Sequence, residues 1–268
     1  MREHPDPVDA NDGAQIDGLA PIEGAALCLS GGGYRAMLFH VGAIWRLHEA
    51  GILTTLKHIS SVSGGSITAA KLALSWDSLT RSPAGQGIFQ EEFVTPLRKL
   101  ASTTVDVFAI ARGFFSGGAG RHVAAVYDRE LFHGASLQDL PDLPVFTINS
   151  TNVQSGALWR FQKAYMRDYR VGEVVRPGLN LSQAVAASSA FPPFLSPFEL
   201  KLTEAEFTPD TGDDLQCSPF TSRPLLTDGG VYDNLGLETA WKRFKTVLVS
   251  DGGGKIEAQR KPWRVDLH

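Results

Sequence analysis

The sequence has little of what marks secreted or membrane-spanning proteins. It contains two cysteines in 268 residues, too few and too far apart for a disulfide framework. Its apolar runs, of which Val105 to Phe115 is among the longest, are shorter than the roughly 18 residues that a membrane span needs. The N-terminus lacks a basic start followed by an apolar stretch, so no secretory signal is predicted. We therefore expect a cytoplasmic protein, at most peripheral at membranes.

Motifs for metals and nucleotide cofactors are also missing. The chain has no HExxH or CxxC spacing, so no metal is expected. A dinucleotide site needs an acidic residue about 20 residues after its glycine-rich turn. The corresponding stretch, residues 53–61, contains neither Asp nor Glu. The sequence therefore predicts an activity that requires no cofactor.

Net negative charge is concentrated at the N-terminus. Residues 1–23 contain six acidic residues and one arginine, whereas the net charge of the whole chain is −4. The remainder of the chain is therefore close to neutral. The Asp, Pro and Gly content of residues 1–23 predicts a flexible tail, and residues 24–268 are expected to form a single catalytic domain. A neutral body has no broad attraction for nucleic acid or anionic lipid. The basic and aromatic stretch Trp241 to Lys245 is interpreted as the end of an amphipathic helix.

Two strand, turn and helix units follow one another at the start of this domain. The first runs from a strand at Ala25 to Ser30 into a helix at Tyr34 to Ala50, and the second from a strand at His58 to Val62 into a helix at Ser66 to Ser75. Such units predict a three-layer α/β/α fold with a mostly parallel central sheet, whose ligands lie at the carboxyl ends of the strands. Further strands are predicted at 145–150, 157–161, 225–227 and 246–250, and further helices at 91–100 and 181–189.

Ser63 lies in the second turn, followed by Gly64 and Gly65. A serine between a strand and a helix can be held in a strained conformation that exposes its hydroxyl, as a nucleophile requires. The alternative is an ordinary helix cap, a position at which serine is common. The first turn, Gly31-Gly32-Gly33-Tyr34, presents backbone amides at a helix N-terminus. It is expected to bind an anion, either a phosphate or an oxyanion.

Two further residues are candidates for the site. Asp228, followed by Gly229 and Gly230, ends a short apolar strand, where it can form an Asx-turn or act as a base aimed into a cleft. Arg35 is either a charge on the helix surface or a side chain that supports the glycine turn and binds a phosphate of the substrate.

Taken together, GGGYRA at 31–36, SVSGG at 61–65, ASSAFPPF at 187–194 and DGG at 228–230 resemble the patatin-like phospholipase family over about residues 25–254. The resemblance implies an oxyanion hole at Gly31 to Tyr34 and a catalytic dyad of Ser63 and Asp228 without histidine. Ala36 and Ser61 depart from this pattern, because each replaces a frequent glycine. The missing histidine has independent support, since a triad histidine follows its acid in ordinary hydrolases and only the terminal His268 follows Asp228.

The function expected from this resemblance is hydrolysis of a carboxylic ester of a glycerophospholipid through an acyl-enzyme at Ser63. Hydrolysis of neutral or short-chain esters is the first alternative, and a non-catalytic lipid-binding module is the second. The expected partners are the lipid substrate and a transient membrane or micelle surface, with no nucleic acid. Two apolar stretches, Val105 to Phe115 and Phe191 to Leu195, are candidates for the acyl site or for lipid docking, with burial in the core as the alternative.

Overall fold

The computed structural model describes residues 21–81, 86–103 and 119–254. The strands in these ranges are β1 (Ile22–Leu29), β2 (Leu56–Val62), β3 (Val145–Asn152), β4 (Leu158–Phe161), β5 (Tyr165–Asp168), β6 (Gly172–Val175), β7 (Phe198–Glu199), β8 (Leu225–Asp228) and β9 (Phe244–Ser250). The α-helices are α1 (Gly33–Glu49), α2 (Gly64–Leu74), α3 (Trp76–Arg81), α4 (Gln86–Phe89), α5 (Thr95–Thr103), α6 (Ala119–Tyr127), α7 (Leu181–Ser188) and α8 (Gly230–Asp233). Short π-helical segments cover Gln90–Val94 and Asp128–Phe132, and 3-10 turns cover Leu53–Thr55, Leu137–Asp139 and Glu204–Glu206.

The strands form one sheet flanked by helices, as predicted. Its main path runs in the order β6-β5-β4-β3-β2-β1-β9, and β8 pairs with both β3 and β7. Strands β9, β1, β2 and β3 are parallel and form the centre expected from the two repeated units. Strands β4, β5 and β6 extend this centre as an antiparallel meander. The predicted α/β fold with a mostly parallel central sheet is confirmed.

One antiparallel strand positions the candidate site. Strand β3 continues beyond the end of β2. The last residue of β3 that pairs with β2 is Asn149, which lies opposite Val62. From the next residue on, β3 pairs with β8, which runs in the opposite direction and places Asp228 opposite Ser150. The carboxyl ends of β2 and β8 therefore meet end to end along β3. This register brings two segments together that are more than 160 residues apart in the sequence.

Side-chain alternation divides the core between the two faces of the sheet. On β1, Leu27 and Leu29 belong to the main cluster, which lies on the side of the long helices. Ala26 and Cys28 point to the opposite face and pack in a smaller cluster with Ala240. Burial raises the pKa of the Cys28 thiol to about 12, which keeps it protonated and unreactive.

Several boundaries differ from the sequence-based expectations. Strand β1 begins at Ile22, within the segment predicted as a tail, while residues 1–20 lie outside the described residues. The stretch Val105 to Phe115, a candidate for the acyl site or for lipid docking, also lies outside the described residues. The stretch Trp241 to Lys245 was wrongly predicted to be helical, because hydrogen-bonded turns lead directly into β9 there. No helix in the described ranges is both long and apolar enough to cross a membrane.

Candidate active site

Ser63 occupies the turn between β2 and α2 in a conformation that few non-glycine residues adopt. Its φ of 50° and ψ of −118° place it outside both helix and strand geometry. It stands at the N-cap position of α2, but its side chain makes no capping hydrogen bond. The capping interpretation of this serine is therefore wrong. A strained backbone whose hydroxyl is not used to cap the helix is what a nucleophile at a strand-to-helix turn requires.

Asp228 ends β8 as a buried carboxylate that is 5% exposed. Its Oδ1 accepts a hydrogen bond of 2.8 Å from the Gly230 amide, and the Ser63 side chain lies near the carboxylate. Burial raises the pKa of Asp228 above the ordinary value of an aspartate, while the Gly230 amide and the Ser63 hydroxyl act in the opposite direction. The Asx-turn interpretation of this residue is therefore confirmed, and its role as a base stays a prediction.

The first glycine turn lies directly against the second. A Cβ on Gly64 would stand 2.0 Å from the carbonyl oxygen of Gly33, and one on Gly31 would stand 3.4 Å from the Cβ of Ser63. Only glycine at position 64 lets the two turns approach so closely, and at position 31 an added Cβ would instead collide with Asn234 Oδ1 at 2.4 Å. A Cβ on Gly65 would likewise meet the Leu29 carbonyl oxygen at 2.5 Å. The residues predicted to bind an oxyanion are therefore brought to the serine predicted to create one.

The amides of this first turn are not equivalent. The Gly31 amide donates to the Asn234 carbonyl oxygen at 2.9 Å, so it is unavailable to an oxyanion and the prediction is corrected for this residue. Gly32 and Gly33 are exposed, have φ values of 136° and 62°, and find no acceptor for their amides in the described part of the chain. They lie at the N-terminal end of the 17-residue helix α1, where the helix dipole favours negative charge.

The sequence from residue 27 to 241 matches the family model of the patatin-like phospholipases. This range covers most of the chain. The chain belongs to the patatin-like phospholipase family. No curated protein matches the chain.

Two solved structures are similar to most of the chain. Human GIVD cytosolic phospholipase A2 has 15% sequence identity and a TM-score of 0.50, covering 90% of this chain and 44% of its own. VipD from Legionella pneumophila has 17% identity and a TM-score of 0.40, covering 79% of this chain and 46% of its own. The chain thus spans less than half the length of these structures. At 15% identity, the similarity to the human phospholipase indicates a shared fold alone.

Both departures from the family pattern are accommodated locally. Ala36 packs against a glycine, since a Cβ on Gly252 would lie 2.8 Å from the Ala36 Cα. The bulk added at one position is thus matched by a missing side chain at the other. Ser61 is fully buried, donates to the Thr147 carbonyl oxygen at 3.2 Å and accepts from the Ser66 hydroxyl at 3.1 Å. Its hydroxyl is satisfied by neighbours and leaves the turn at Ser63 intact.

No histidine in the described ranges hydrogen-bonds to Ser63 or Asp228. His40 is fully buried behind the first turn, with Nε2 2.9 Å from the Ser30 carbonyl oxygen and Nδ1 2.8 Å from the Ser250 hydroxyl. Since only a protonated nitrogen can donate to that carbonyl, Nε2 carries the proton and Nδ1 accepts. Burial lowers the pKa of His40 and favours this neutral form. His40 therefore fixes the carboxyl end of β1, where the first glycine turn begins.

The structure places Arg35 at the edge of the site. Its side chain is exposed, and its Nη2 would be 3.1 Å from a Cβ on Gly254, in the glycine-rich segment that follows β9. Tyr34 is half-buried and lies near Tyr127, whose pKa is raised mainly by burial. Within the described ranges, no cluster of three or more His, Cys, Asp or Glu side chains is placed to hold a metal ion.

Two residues that contact the two glycine turns were not identified from the sequence as parts of the site. Asn234 accepts the Gly31 amide, and its Oδ1 would lie 2.6 Å from a Cβ on Gly230. Ser188 accepts the amide of Ser63 at 2.9 Å. Ser188 stands in the ASSAFPPF motif that carried the family resemblance and Asn234 follows the DGG motif by four residues, which was the one available signal. Neither residue type is unusual enough to be singled out without the fold.

Proposed function

We propose that this chain is a lipid acyl hydrolase that cleaves a carboxylic ester of a glycerophospholipid, with Ser63 as nucleophile and Asp228 as its only catalytic partner. Membership of the family supports lipid hydrolase activity. The observation that carries the dyad is the register along β3, which brings the end of β2, where Ser63 follows, to the buried carboxylate of Asp228 at the end of β8. The exposed amides of Gly32 and Gly33 beside it support a role for the first turn in binding the oxyanion.

The proposed mechanism needs two proton transfers for each half-reaction. Asp228 takes the proton of Ser63 while the serine oxygen bonds to the ester carbonyl carbon, and the carbonyl oxygen becomes an oxyanion that Gly32 and Gly33 bind. The tetrahedral intermediate collapses, the ester bond breaks, and Asp228 returns the proton to the leaving alcohol. Water then attacks the acyl-enzyme by the same route, releasing a fatty acid and restoring Ser63. The raised pKa of Asp228 supports this role, because an ordinary aspartate is a weak base.

The dyad is tested with Ser63→Ala, Asp228→Asn and the double variant. All three are expected to lose about 10⁴-fold in kcat, because residues that act as a unit give non-additive losses. Asp142→Asn serves as a matched control, since this carboxylate is exposed and pairs with Lys163. Turnover is measured on phosphatidylcholine vesicles, a triacylglycerol emulsion and a soluble p-nitrophenyl ester. Near-normal turnover in Asp228→Asn contradicts the dyad.

The same panel separates the alternatives. Preference for the vesicles supports a phospholipase, whereas preference for the emulsion or the soluble ester supports the neutral or short-chain alternative. Binding of vesicles without hydrolysis of any ester supports a non-catalytic lipid-binding module. Hydrolysis that persists in Ser63→Ala would show that another group acts as nucleophile.

We also propose that the site faces a lipid surface through exposed apolar side chains. Phe191 is 54% exposed and Phe194 is 37% exposed, so burial in the core is excluded for both. They follow Ala190, whose carbonyl oxygen accepts the Asp228 amide at 3.0 Å. Val231, 58% exposed, follows the glycines after Asp228. Apolar contact of this kind supports docking that salt does not weaken, because salt screens charges and not burial.

Replacing both phenylalanines by serine tests this docking. Phe191→Ser with Phe194→Ser should lower vesicle binding and vesicle hydrolysis severalfold, while hydrolysis of the soluble ester stays close to normal. Trp241→Ser is the control, because Trp241 is 49% exposed but precedes the amino end of β9, at the opposite edge of the sheet. Equal losses on vesicles and on the soluble ester would contradict a docking role.

A further inference from the structure

The backbone amide of Ser63 requires a partner that neither strand nor helix supplies. It is the first residue after β2, its φ is positive, and its surroundings are buried, with Ser63 itself 6% exposed. A buried amide without an acceptor costs about 1–3 kcal/mol. Here the acceptor is the side-chain hydroxyl of Ser188, 2.9 Å away and 125 residues later in the chain.

The hydroxyl of Ser188 connects two segments at this point. It donates to the Asn149 carbonyl oxygen at 2.6 Å, at the residue of β3 that pairs with the last residue of β2. It accepts from the Ser63 amide, and it lies 2.9 Å from the hydroxyl of Ser66 in the first turn of α2, which donates to Ser61. The single proton of Ser188 is thus given to Asn149, and one of its acceptor positions is taken by Ser63. Ser188 is itself fully buried, so water cannot replace it.

Ser188 also reaches the turn that contains Asp228. Its carbonyl oxygen accepts the Gly229 amide at 3.2 Å, and Ala190, two residues on, accepts the Asp228 amide at 3.0 Å. The end of α7 is thus bonded to the backbone on both sides of the Ser63–Asp228 pair. The side chain of Ser188 bonds to the turn at Ser63, and the main chain of Ser188 and Ala190 bonds to the turn at Asp228.

We infer that Ser188 is a positioning residue, which holds the strained backbone of Ser63 so that its hydroxyl points at Asp228. This inference rests on the proposed function, because it assigns Ser188 a role in that same reaction. Ser188 acts through the backbone of Ser63 and contacts no substrate. Removing its hydroxyl leaves the Ser63 amide without its acceptor and frees the turn to relax. A misplacement of the nucleophile by about 1 Å is sufficient to cost about 10²-fold in rate.

The test compares Ser188→Ala with Ser182→Ala. Ser182 is a matched control, since it is a buried serine on the same helix, and no hydrogen bond of its hydroxyl is found within the described ranges. On a soluble p-nitrophenyl ester, Ser188→Ala should lose about 10²-fold in kcat with little change in KM. Its rate of reaction with a fluorophosphonate should fall in parallel. A residue that merely packs the helix would lower the melting temperature in both variants and spare kcat, and that result overturns the inference.

Ser188→Cys is measured in parallel, because a thiol fills nearly the same space but hydrogen-bonds poorly. It should lose kcat in the same sense as Ser188→Ala, and normal kcat in a folded Ser188→Cys variant overturns the inference.

Amide exchange decides the contact independently of catalysis. In protein labelled with ¹⁵N-serine, the Ser63 amide should exchange slowly in the wild type and Ser182→Ala, and at least about tenfold faster in Ser188→Ala, because its acceptor is gone. Unchanged exchange overturns the inference. If the wild type hydrolyses no ester and Ser63 does not react with the fluorophosphonate, the proposed function fails, whereas the exchange result still reports whether Ser188 holds the Ser63 backbone.

Discussion

The two glycine-containing turns look alike in the sequence and differ in the structure. Each follows a buried parallel strand and precedes a long helix. The turn at Gly32 and Gly33 is exposed and has positive φ values, and no atom lies within 4 Å of a Cβ placed on Gly33. The turn at Ser63 to Gly65 is buried, and Cβ atoms on its glycines would collide with backbone oxygens.

The difference teaches that glycine serves two separate purposes within one site. In the first turn it supplies a backbone conformation that side chains resist, which leaves amides pointing outward. In the second it supplies space, so that the strand ends and Gly33 can close around Ser63. An exposed turn thus lies against a buried one. Substitutions that test space should affect the second turn most, and substitutions that test conformation the first.

The largest effect is expected from Gly64→Ala. The added methyl group would stand 2.0 Å from the Gly33 carbonyl oxygen, which is backbone and cannot swing aside. We expect the variant to lose about 3 kcal/mol of unfolding free energy, measured by urea denaturation, together with most of its activity.

Gly33→Ala is the counterpart in the first turn. Its φ of 62° costs an alanine about 1 kcal/mol, but no neighbour obstructs the methyl group. Equal destabilisation by the two alanines would remove the distinction between space and conformation.

A smaller effect on stability but a large one on rate is expected from Gly32→Val. A φ of 136° is poorly accessible to valine, so the turn must rearrange and its amides no longer converge on the oxyanion. Loss of one oxyanion donor usually costs about 10²–10³ in rate, so kcat should fall by that amount with little change in KM. Steady-state kinetics on the soluble ester measure this. An unchanged kcat would mean that the first turn has another role, and equilibrium dialysis with NAD or ATP then tests nucleotide binding.

The smallest effect concerns pH and the charge beside the second turn. Because folding raises the pKa of Asp228 above its unfolded value, its contribution to stability is present at low pH and is lost as pH rises through the folded pKa. Above that folded pKa the ionised, buried carboxylate therefore opposes folding. Asp228→Asn should melt at the same temperature as the wild type or slightly higher at pH 7, and lose this advantage towards pH 4.

Activity should show the opposite dependence on pH. Asp228 must be ionised to accept a proton, so kcat/KM should rise with pH through a midpoint above the ordinary value for aspartate, about 3.9.

The stability prediction is contradicted by a lower melting temperature for Asp228→Asn at pH 7, which would indicate that the carboxylate stabilises the fold. The buried His40 behind the first turn adds a second acid-sensitive group, whose neutral form is favoured by its lowered pKa.

The sequence alone was sufficient to predict the parallel centre of the sheet and the two units on either side of its glycine turns. Helix α1 was predicted to within one residue at each end, because its apolar periodicity and Gly51 act locally. The meander of β5 and β6 was not predicted, since each strand has four residues and no clear alternation. The exposure of Phe191 and Phe194 was also undecided, because apolar residues are usually buried and only packing reveals the exceptions.

Local sequence determined that Ser63 stands in a strained turn and that Asp228 ends a strand, because such turns depend on a few neighbouring residues. Only the tertiary structure decided that the two meet, since this requires β8 to run antiparallel along β3 where β2 ends. The same holds for Ser188, whose hydroxyl is an ordinary helix-end group until the fold places it beneath the Ser63 amide. Backbone conformation is written in adjacent residues, whereas the partners of buried polar groups are set by contacts between segments far apart in the chain.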